Sequence, residues 1–286
     1  MKYHYFISGM LCLLPGMLWT CKLVRSSKND SFMSEHINNA QLIREVYRRI
    51  FGQADVEFAN EIIAEDYIQH NPMIKTGKAG VMEFIGYLTS IPRPANPVKP
   101  FMRFIAEGPY VIVHSSMPWQ NQQNATVDLY RIQDGKLTVH WDAVEIEPSS
   151  TASGNPMVEG PVEIEDTGYT EQNKSIVRKF YEDVFISQHR TSLDNYVDPA
   201  LIQHLPEVTN GQAGLQEYIS TTTVVRTRIH RIIGEGNFVV VQAEGKVKND
   251  SYVFYDLFRL SKEKIVEQWG VKQAIPATMA HSNGML

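Results

Sequence analysis

The sequence is poor in cysteine and has no excess of basic residues. It has two cysteines in 286 residues, and none follows Cys21. A disulfide therefore cannot form within the part of the chain beyond Cys21. The formal net charge of −5 argues against a nucleic-acid partner, because nucleic-acid-binding surfaces are basic. The sequence also lacks the Gly-x-Ser-x-Gly elbow, the phosphate-binding glycine-rich loop and the dinucleotide fingerprint, so hydrolase, kinase and dinucleotide-dependent chemistry are not predicted.

The N-terminus has no unbroken apolar run of membrane-spanning length. Residues 6–19 are apolar but are interrupted by one serine, two glycines and a proline, whereas a span needs about 20 apolar residues. This pattern is typical of a signal peptide, which we assign to residues 1–21, followed by a polar tether at 22–37. Cys21 lies where a bacterial lipoprotein is cut and lipidated, although the two residues before it are bulkier than that signal prefers. Export to the periplasm, a lipid anchor at Cys21 that holds the protein on the membrane, and an uncleaved anchor all remain open.

The most informative feature is an internal repeat. Residues 40–80 align without a gap on residues 174–214, an offset of 134, and beyond residue 100 the offset is 128. A chain of 286 residues is long enough for two domains of roughly 110–130 residues with separate cores. We therefore predict domains at 38–148 and 171–276, with the second site degenerate, joined by a linker at 149–170 rich in serine, proline and glycine.

Each copy shows helical patterns followed by strand patterns. In the first copy apolar residues recur at steps of three and four over about 39–51, and shorter helical stretches follow at 57–63 and 80–88. Four runs rich in valine, isoleucine and aromatic residues then predict strands, at 101–106, 110–117, 125–132 and 137–146. Helices followed by strands indicate the α+β class and not an alternating βαβ arrangement.

Four motifs of the first copy are similar to those of one family. They are Tyr-x₃-Phe at Tyr47, Tyr-Ile-Gln-His-Asn-Pro at Tyr67, Gly-x₂-Gly at Gly77, and a segment from Asp-Leu-Tyr-Arg at Asp128 to His-Trp-Asp at Asp142. Together they resemble the SnoaL-like branch of the nuclear-transport-factor-2-like superfamily. The resemblance implies two tandem cone-shaped α+β barrels, each with three N-terminal helices packed on a curved antiparallel sheet around an apolar pocket. It also implies that the two cones pair through their sheets as an intrachain pseudo-dimer.

The resemblance also implies a chemistry. Polyketide cyclases of this branch close a ring by intramolecular aldol chemistry and use neither a metal nor an organic cofactor. The acid–base residue of that pattern is the Asp of His-Trp-Asp, which is Asp142 in this chain. We therefore expect no cofactor, and a small apolar ligand as the partner. The three histidines of the first copy have no paired spacing such as His-x-His, so no metal site is predicted.

The two copies differ where chemistry is expected. At three positions the first copy has a titratable group that the second lacks: His114 against Gln242, His140 against Gln268, and Asp142 against Gly270. We therefore take Asp142, His140 and His114 as the candidate catalytic residues. His140 and Asp142 are two apart on a strand and share a face, which is either the pocket wall or a solvated outer face. An apolar wall would raise the pKa of Asp142 and make it a better base. His114 is either a pocket donor or an ordinary strand histidine.

The remaining candidates are expected to be structural or to line the pocket: His70, Asp128, Trp141, Tyr47 and Tyr67. Asp128 is expected to stabilise the fold through a bond to Arg131 or to the backbone. A three-residue hairpin loop with Gly135 in the left-handed conformation would pair Asp128 with His140, on the face of Asp142. A two-residue turn would pair it with Trp141 and place it on the other face.

Two functions compete at this point. The first is an exported enzyme of the aldol-condensation, cyclase or isomerase type that acts on a small apolar carbonyl compound in the pocket of the first copy. The second is a non-enzymatic envelope module of the same fold that binds an apolar ligand or another protein. The altered second copy and the export signal favour the second function, and the His-Trp-Asp motif favours the first. Convergence of His114, His140 and Asp142 in one closed cavity would favour the enzyme.

Overall fold

The structure, a computed structural model, describes residues 39–91, 100–119 and 121–286. The predicted signal peptide, the tether and the lipidation candidate Cys21 lie outside these residues. Within the described ranges, every helix is too short or too polar to cross a membrane.

The first domain has three helices and a five-stranded sheet. Helix α1 covers residues 39–53, with a π-helical stretch at Val46–Phe51. The elements that follow are α2 (Val56–Ile62), β1 (Ile63–Gln69), α3 (Gly77–Ser90), β2 (Met102–Glu107), β3 (Tyr110–Trp119), β4 (Gln122–Gln133) and β5 (Lys136–Ile146). The strand order is β1-β5-β4-β3-β2. The apolar faces of the helices pack on one face of this sheet, where Ile43, Val46 and Tyr47 of α1 are buried. The predicted α+β cone is confirmed.

Strand β1 is an element that the sequence patterns did not predict. It follows α2 directly and lies parallel to β5, with Gln69 opposite His140. Its partner lies about 70 residues further along the chain, so no local pattern indicates the pairing. The sheet is therefore antiparallel over four strands and parallel at one edge. This edge places the residues that follow Gln69 beside the His-Trp-Asp motif of β5.

The second domain has the same order of elements. They are α4 (Thr170–Phe180) with its π-helical continuation Tyr181–Ile186, α5 (Leu193–Tyr196), β6 (Val197–Gln203), α6 (Gly211–Thr221), β7 (Val224–Glu235), β8 (Phe238–Val247), β9 (Asp250–Ser261) and β10 (Lys264–Ala274). The strand order β6-β10-β9-β8-β7 matches that of the first sheet, again with one parallel edge. The fold is thus two tandem cone-like domains.

The outer faces of the two sheets pack against each other. One buried apolar cluster contains Trp141 and Leu129 of the first sheet together with Trp269 and Leu257 of the second. Side chains at the edges of the interface accept hydrogen bonds from backbone amides of the other domain, in pairs related by the repeat: Glu107 from Gly234 and Glu235 from Ala106, then Glu145 from Lys272 and Gln273 from Val144. The repeat therefore extends to the contacts between the domains.

The segment that follows the last strand of each domain crosses to the other domain. We name these segments the linker strap (residues 147–158) and the C-terminal strap (residues 275–286). Pro156 of the linker strap accepts a hydrogen bond from His204 Nδ1 at 2.5 Å, and Gly284 of the C-terminal strap accepts one from His70 Nδ1 at 2.9 Å. Met157 and Met285, 128 residues apart, are both buried in the interface cluster. Part of the predicted linker is thus packed structure, and the chain beyond the predicted end of the second domain is ordered against the first.

Candidate acid–base site in the first domain

A two-residue turn and a bulge place three polar side chains on the inner face of the first sheet. Asp134 and Gly135 form the turn between β4 and β5, both with positive φ (52° and 71°), as a type I′ turn requires. Thr138 is then an extra residue in β5, because Arg131 pairs with Val139 and Ile132 with Leu137. Both predicted registers are therefore wrong.

The bulge places Asp128 opposite Asp142, on the same face as His140. Each of these three residues offers one polar atom, and the three atoms lie within 4.8 Å of one another. This places two carboxylates and an imidazole in one buried group.

His140 is held at both ring nitrogens. Its Nδ1 lies 2.9 Å from Oε1 of Gln69, which also accepts the backbone N–H groups of His70 and Asn71. Because Oε1 is an acceptor, His140 Nδ1 is the donor, which leaves Nε2 to bond Asp128 Oδ1 at 2.9 Å. Burial lowers the pKa of His140, but the hydrogen bond to Asp128 and the charge of Asp142 outweigh burial and raise it overall. An imidazolium paired with the Asp128 carboxylate is therefore the favoured form.

Asp128 bonds side chains from two other elements. Tyr47 of α1 donates its hydroxyl proton to Asp128 Oδ2 at 2.6 Å, and His140 of β5 occupies Oδ1. Burial and the Asp128 charge raise the pKa of Tyr47 well above its usual value, so this hydroxyl stays protonated. The predicted bond from Asp128 to Arg131 is not formed, because Arg131 extends along the strand to Gln133. Asp128 connects helix α1 to the sheet and orients His140.

Asp142 is the carboxylate with an unused oxygen. Asn71 donates to Oδ2 at 2.5 Å, whereas Oδ1 has no hydrogen-bond partner among the described residues. Burial raises the pKa of Asp142 to about 6; His140 and Asn71 oppose this rise and Asp128 adds to it. A carboxyl with this pKa changes charge near neutral pH, which is what a general base or acid needs.

An apolar cavity of about 50 Å³ lies between the helices and the sheet. Tyr67, Gln69, Tyr130 and His140 line it together with aliphatic side chains of α1, β1 and α3. The ring of Tyr130 stacks on His140, with centroids 4.7 Å apart. Pockets for drug-sized ligands measure about 300–1,000 Å³, so this cavity suits a ligand of a few heavy atoms. Tyr67 lines the pocket as expected, and burial raises its pKa.

The second domain has closed the equivalent site. Gly270 stands at the position of Asp142, and a Cβ there would lie 2.6 Å from Leu205 Cδ2. Leu205 itself stands at the position of Asn71, so the donor and its carboxylate are both replaced. Arg226 bonds Asp256, the counterpart of Asp128, through Nε at 3.2 Å and Nη2 at 2.9 Å. This buried arginine occupies the polar end of the cone with a fixed ion pair.

His114 does not join the other two candidates, so the convergence of all three in one closed cavity, which would have favoured the enzyme, does not occur. It lies on the opposite face of the sheet, paired with Val127 in β4, and its Nδ1 accepts a hydrogen bond from Arg103 Nη1 at 2.8 Å. Burial and the arginine charge lower the pKa of His114 well below its usual value, so the ring is neutral. The bond positions the Arg103 guanidinium 4.1 Å above the ring of Trp269 in the other domain.

The second domain repeats this arrangement with glutamine in place of histidine. Arg231 bonds Gln242 and lies 4.1 Å above the ring of Trp141. Trp141 in turn stacks on His70 with centroids 5.0 Å apart. Burial lowers the pKa of His70 to about 4, so it is neutral and donates through Nδ1 to the C-terminal strap. His70, His114 and Trp141 thus belong to the interface between the domains.

The sequence patterns missed two residues that contact the reactive groups. Gln69 belongs to the Tyr-Ile-Gln-His-Asn-Pro motif, and its Oε1 orients His140, while Asn71 of the same motif holds Asp142. The replacement of Asn71 by Leu205 in the second copy was a usable signal, since it accompanies the replacement of Asp142 by Gly270. Gln69 recurs as Gln203, so comparison of the two copies does not single it out.

Comparison with known proteins agrees with the fold and the motif. Residues 43–140, which span most of the first domain, match the model of the SnoaL-like domain family, so the first domain is similar to that family. The resemblance drawn from the motifs is confirmed for the first copy. The match ends at His140, two residues before Asp142. No curated protein matches the chain.

Several solved structures resemble one domain of the chain. One from Kribbella flavida, provisionally named a ketosteroid isomerase, has 14% identity, covers 37% of this chain and 80% of its own, and gives a TM-score of 0.34. A provisionally named polyketide cyclase from Acidithiobacillus ferrooxidans has 15% identity, coverage of 36% and 88%, and a TM-score of 0.30. A protein of unknown function from Mesorhizobium loti has 17% identity, coverage of 37% and 93%, and a TM-score of 0.33. At these identities the likeness supports no statement about activity or substrate.

Proposed function

We propose that the first domain is a cofactor-independent acid–base enzyme that removes a proton next to the carbonyl group of a small apolar compound. Aldol condensation, ring closure and isomerisation all begin with this step. The observation that carries the proposal is Asp142, a buried carboxylate with a pKa raised to about 6, one oxygen held by Asn71 and the other unbonded among the described residues. Such a group is able to accept a proton at neutral pH.

The neighbouring imidazolium of His140 stabilises the negative charge that forms in the reaction. When Asp142 takes the α-proton, its negative charge passes to the substrate as an enolate. His140, which is cationic in its bond with Asp128, then faces the enolate in place of the carboxylate. A fixed positive charge in a buried site stabilises such an anion without reorganisation. The cavity of about 50 Å³ is lined by His140 and not by Asp142, and its size limits the substrate to a small molecule or to the reactive end of a larger one.

The proposal is tested by exchange of α-protons for deuterium. A panel of small ketones and aldehydes is incubated with the purified protein in D₂O, and exchange is followed by proton NMR. Asp142→Asn should slow exchange by about 10²–10⁴-fold, the usual contribution of a general base. Asp134→Asn, at an exposed carboxylate in the hairpin turn, is the matched control and should leave the rate unchanged. Equal rates for Asp142→Asn and the parent protein would rule the proposal out.

The alternative, a non-enzymatic ligand- or protein-binding module, draws on the small cavity and on the closed second site. It predicts that no compound of the panel exchanges its protons. It further predicts that a ligand which co-purifies with the protein binds the parent and the Asp142→Asn variant with equal affinity. A strictly Asp142-dependent exchange would exclude it.

We also propose that the protein is exported and anchored by a lipid at Cys21. The proposal rests on the apolar run before Cys21 and on the position of this cysteine at its end. Cells grown with a labelled fatty acid should incorporate the label into the parent chain and not into Cys21→Ala. A parent chain that is exported without label would support plain secretion, and an unprocessed chain would support an uncleaved anchor.

A further inference from the structure

We propose that the C-terminal strap completes the acid–base site of the first domain, with Asn283 and His281 as positioning residues. The proposal rests on the proposed function, because it treats this group of residues as an acid–base site. The strap follows the last strand of the second domain and lies against the turn at residues 70–76 of the first domain. The site is therefore built from both ends of the chain.

Two side chains of the strap bond the backbone of the segment that carries the site residues. Asn283 Nδ2 donates to the carbonyl oxygen of Gln69 and to the hydroxyl oxygen of Thr76, both at 2.9 Å. His281 Nε2 lies 2.8 Å from the carbonyl oxygen of Asn71 and donates to it. The strap thus holds the same two residues whose side chains hold the reactive groups.

The held segment is short and irregular. Beyond Gln69 the chain leaves strand β1, and residues 70–76 form turns without regular secondary structure. Within it, Asn71 is the donor to Asp142, and Gln69 is the acceptor for His140. A shift of this segment by one ångström would lengthen and weaken the hydrogen bond of 2.5 Å from Asn71 to Asp142, since hydrogen bonds weaken steeply with distance and angle. The bonds from the strap oppose such a shift.

The second domain offers an internal comparison. The linker strap makes the equivalent anchor, since Asn155 Nδ2 donates to the carbonyl oxygen of Gln203 at 3.0 Å and to Asn210 Oδ1 at 2.9 Å. The counterpart of His281 is Ser153, and the counterpart of Asn71, whose backbone His281 contacts, is Leu205. The anchor is therefore common to both domains, whereas the histidine contact occurs only over the domain that keeps the carboxylate.

The test uses the full chain and measures the site without substrate. The side-chain amide of Asn71 reports on Asp142, because its proton resonance moves when the carboxylate that it bonds gains or loses a proton. In the parent protein this resonance should follow the titration of Asp142 between pH 4 and 8. Asn155→Ala removes the matched anchor over the second domain and should leave that titration unchanged. Asn283→Ala should abolish the dependence of the Asn71 resonance on Asp142.

A second variant guards against a general loss of structure. His281→Ala removes one bond to the Asn71 backbone and keeps the anchor of Asn283, so the fold should be retained. The change of the Asn71 resonance with pH should be smaller than in the parent. Titrations identical to the parent in both Asn283→Ala and His281→Ala would overturn the proposal. Because the measurement needs no turnover, an inactive parent protein would refute the proposed reaction and leave this result valid.

Discussion

Replacement of Asp142 with asparagine should stabilise the protein at neutral pH. Burial raises the pKa of this carboxyl from 3.8 to about 6, and only 5% of the residue is exposed. A carboxyl with a higher pKa in the folded state stabilises the fold below the unfolded pKa and loses that contribution as the pH rises through the folded pKa. A difference of about two pH units corresponds to about 3 kcal/mol. Asparagine carries no charge and still accepts the hydrogen bond from Asn71, so it avoids this loss.

The measurement is urea unfolding of the parent, Asp142→Asn and the Asp134→Asn control at several pH values. From pH 4 to 6.5 the parent should lose about 2 kcal/mol of unfolding free energy relative to Asp142→Asn, while the control should follow the parent. Parallel stability curves for the parent and Asp142→Asn would refute the reasoning, since they would mean that Asp142 titrates alike in the folded and unfolded chain.

Four further variants test the rest of the structure by thermal or urea unfolding. Arg226→Met leaves the buried Asp256 without its cation and should cost about 3–5 kcal/mol; a cost below about 1 kcal/mol would contradict a closed second site. His114→Leu removes the acceptor of Arg103 and should lower the free energy of unfolding by about 1–3 kcal/mol. His114→Gln keeps an acceptor and should lower it clearly less. Equal losses in the two variants would contradict the role of His114 in the interface. Gly135→Ala forces a side chain into a turn position with a φ of 71° and should cost about 1 kcal/mol, and no loss would contradict the assigned turn.

The helices and most strands were predictable because their patterns are local. The apolar spacing along α1 predicted one apolar face, and Ile43, Val46, Tyr47 and Ile50 on that face are buried. Alternation along β5 correctly placed His140 and Asp142 on one face. Local patterns failed at β1, because an edge strand is defined by a partner distant in sequence.

The bulge at Thr138 was unpredictable for a related reason. A two-residue turn was one of the two alternatives, but an extra residue in β5 changes which residues face each other beyond it. This single irregularity decides that Asp128 joins the site. The partners Tyr47, Gln69 and Asn71 come from two other places in the chain, and the packing of α1 and β1 against β5 brings them there.

The amino-acid sequence by itself determined that the chain has two related halves and that His140 and Asp142 occur only in the first. Periodicity and comparison of the halves suffice for this, since both depend on order along the chain. Tertiary structure decided that His114 faces the other domain, that Arg226 fills the second site, and that the C-terminal strap reaches the first. These outcomes depend on which face of a sheet is covered and on where a crossing segment ends. Both are set by packing between segments far apart in sequence.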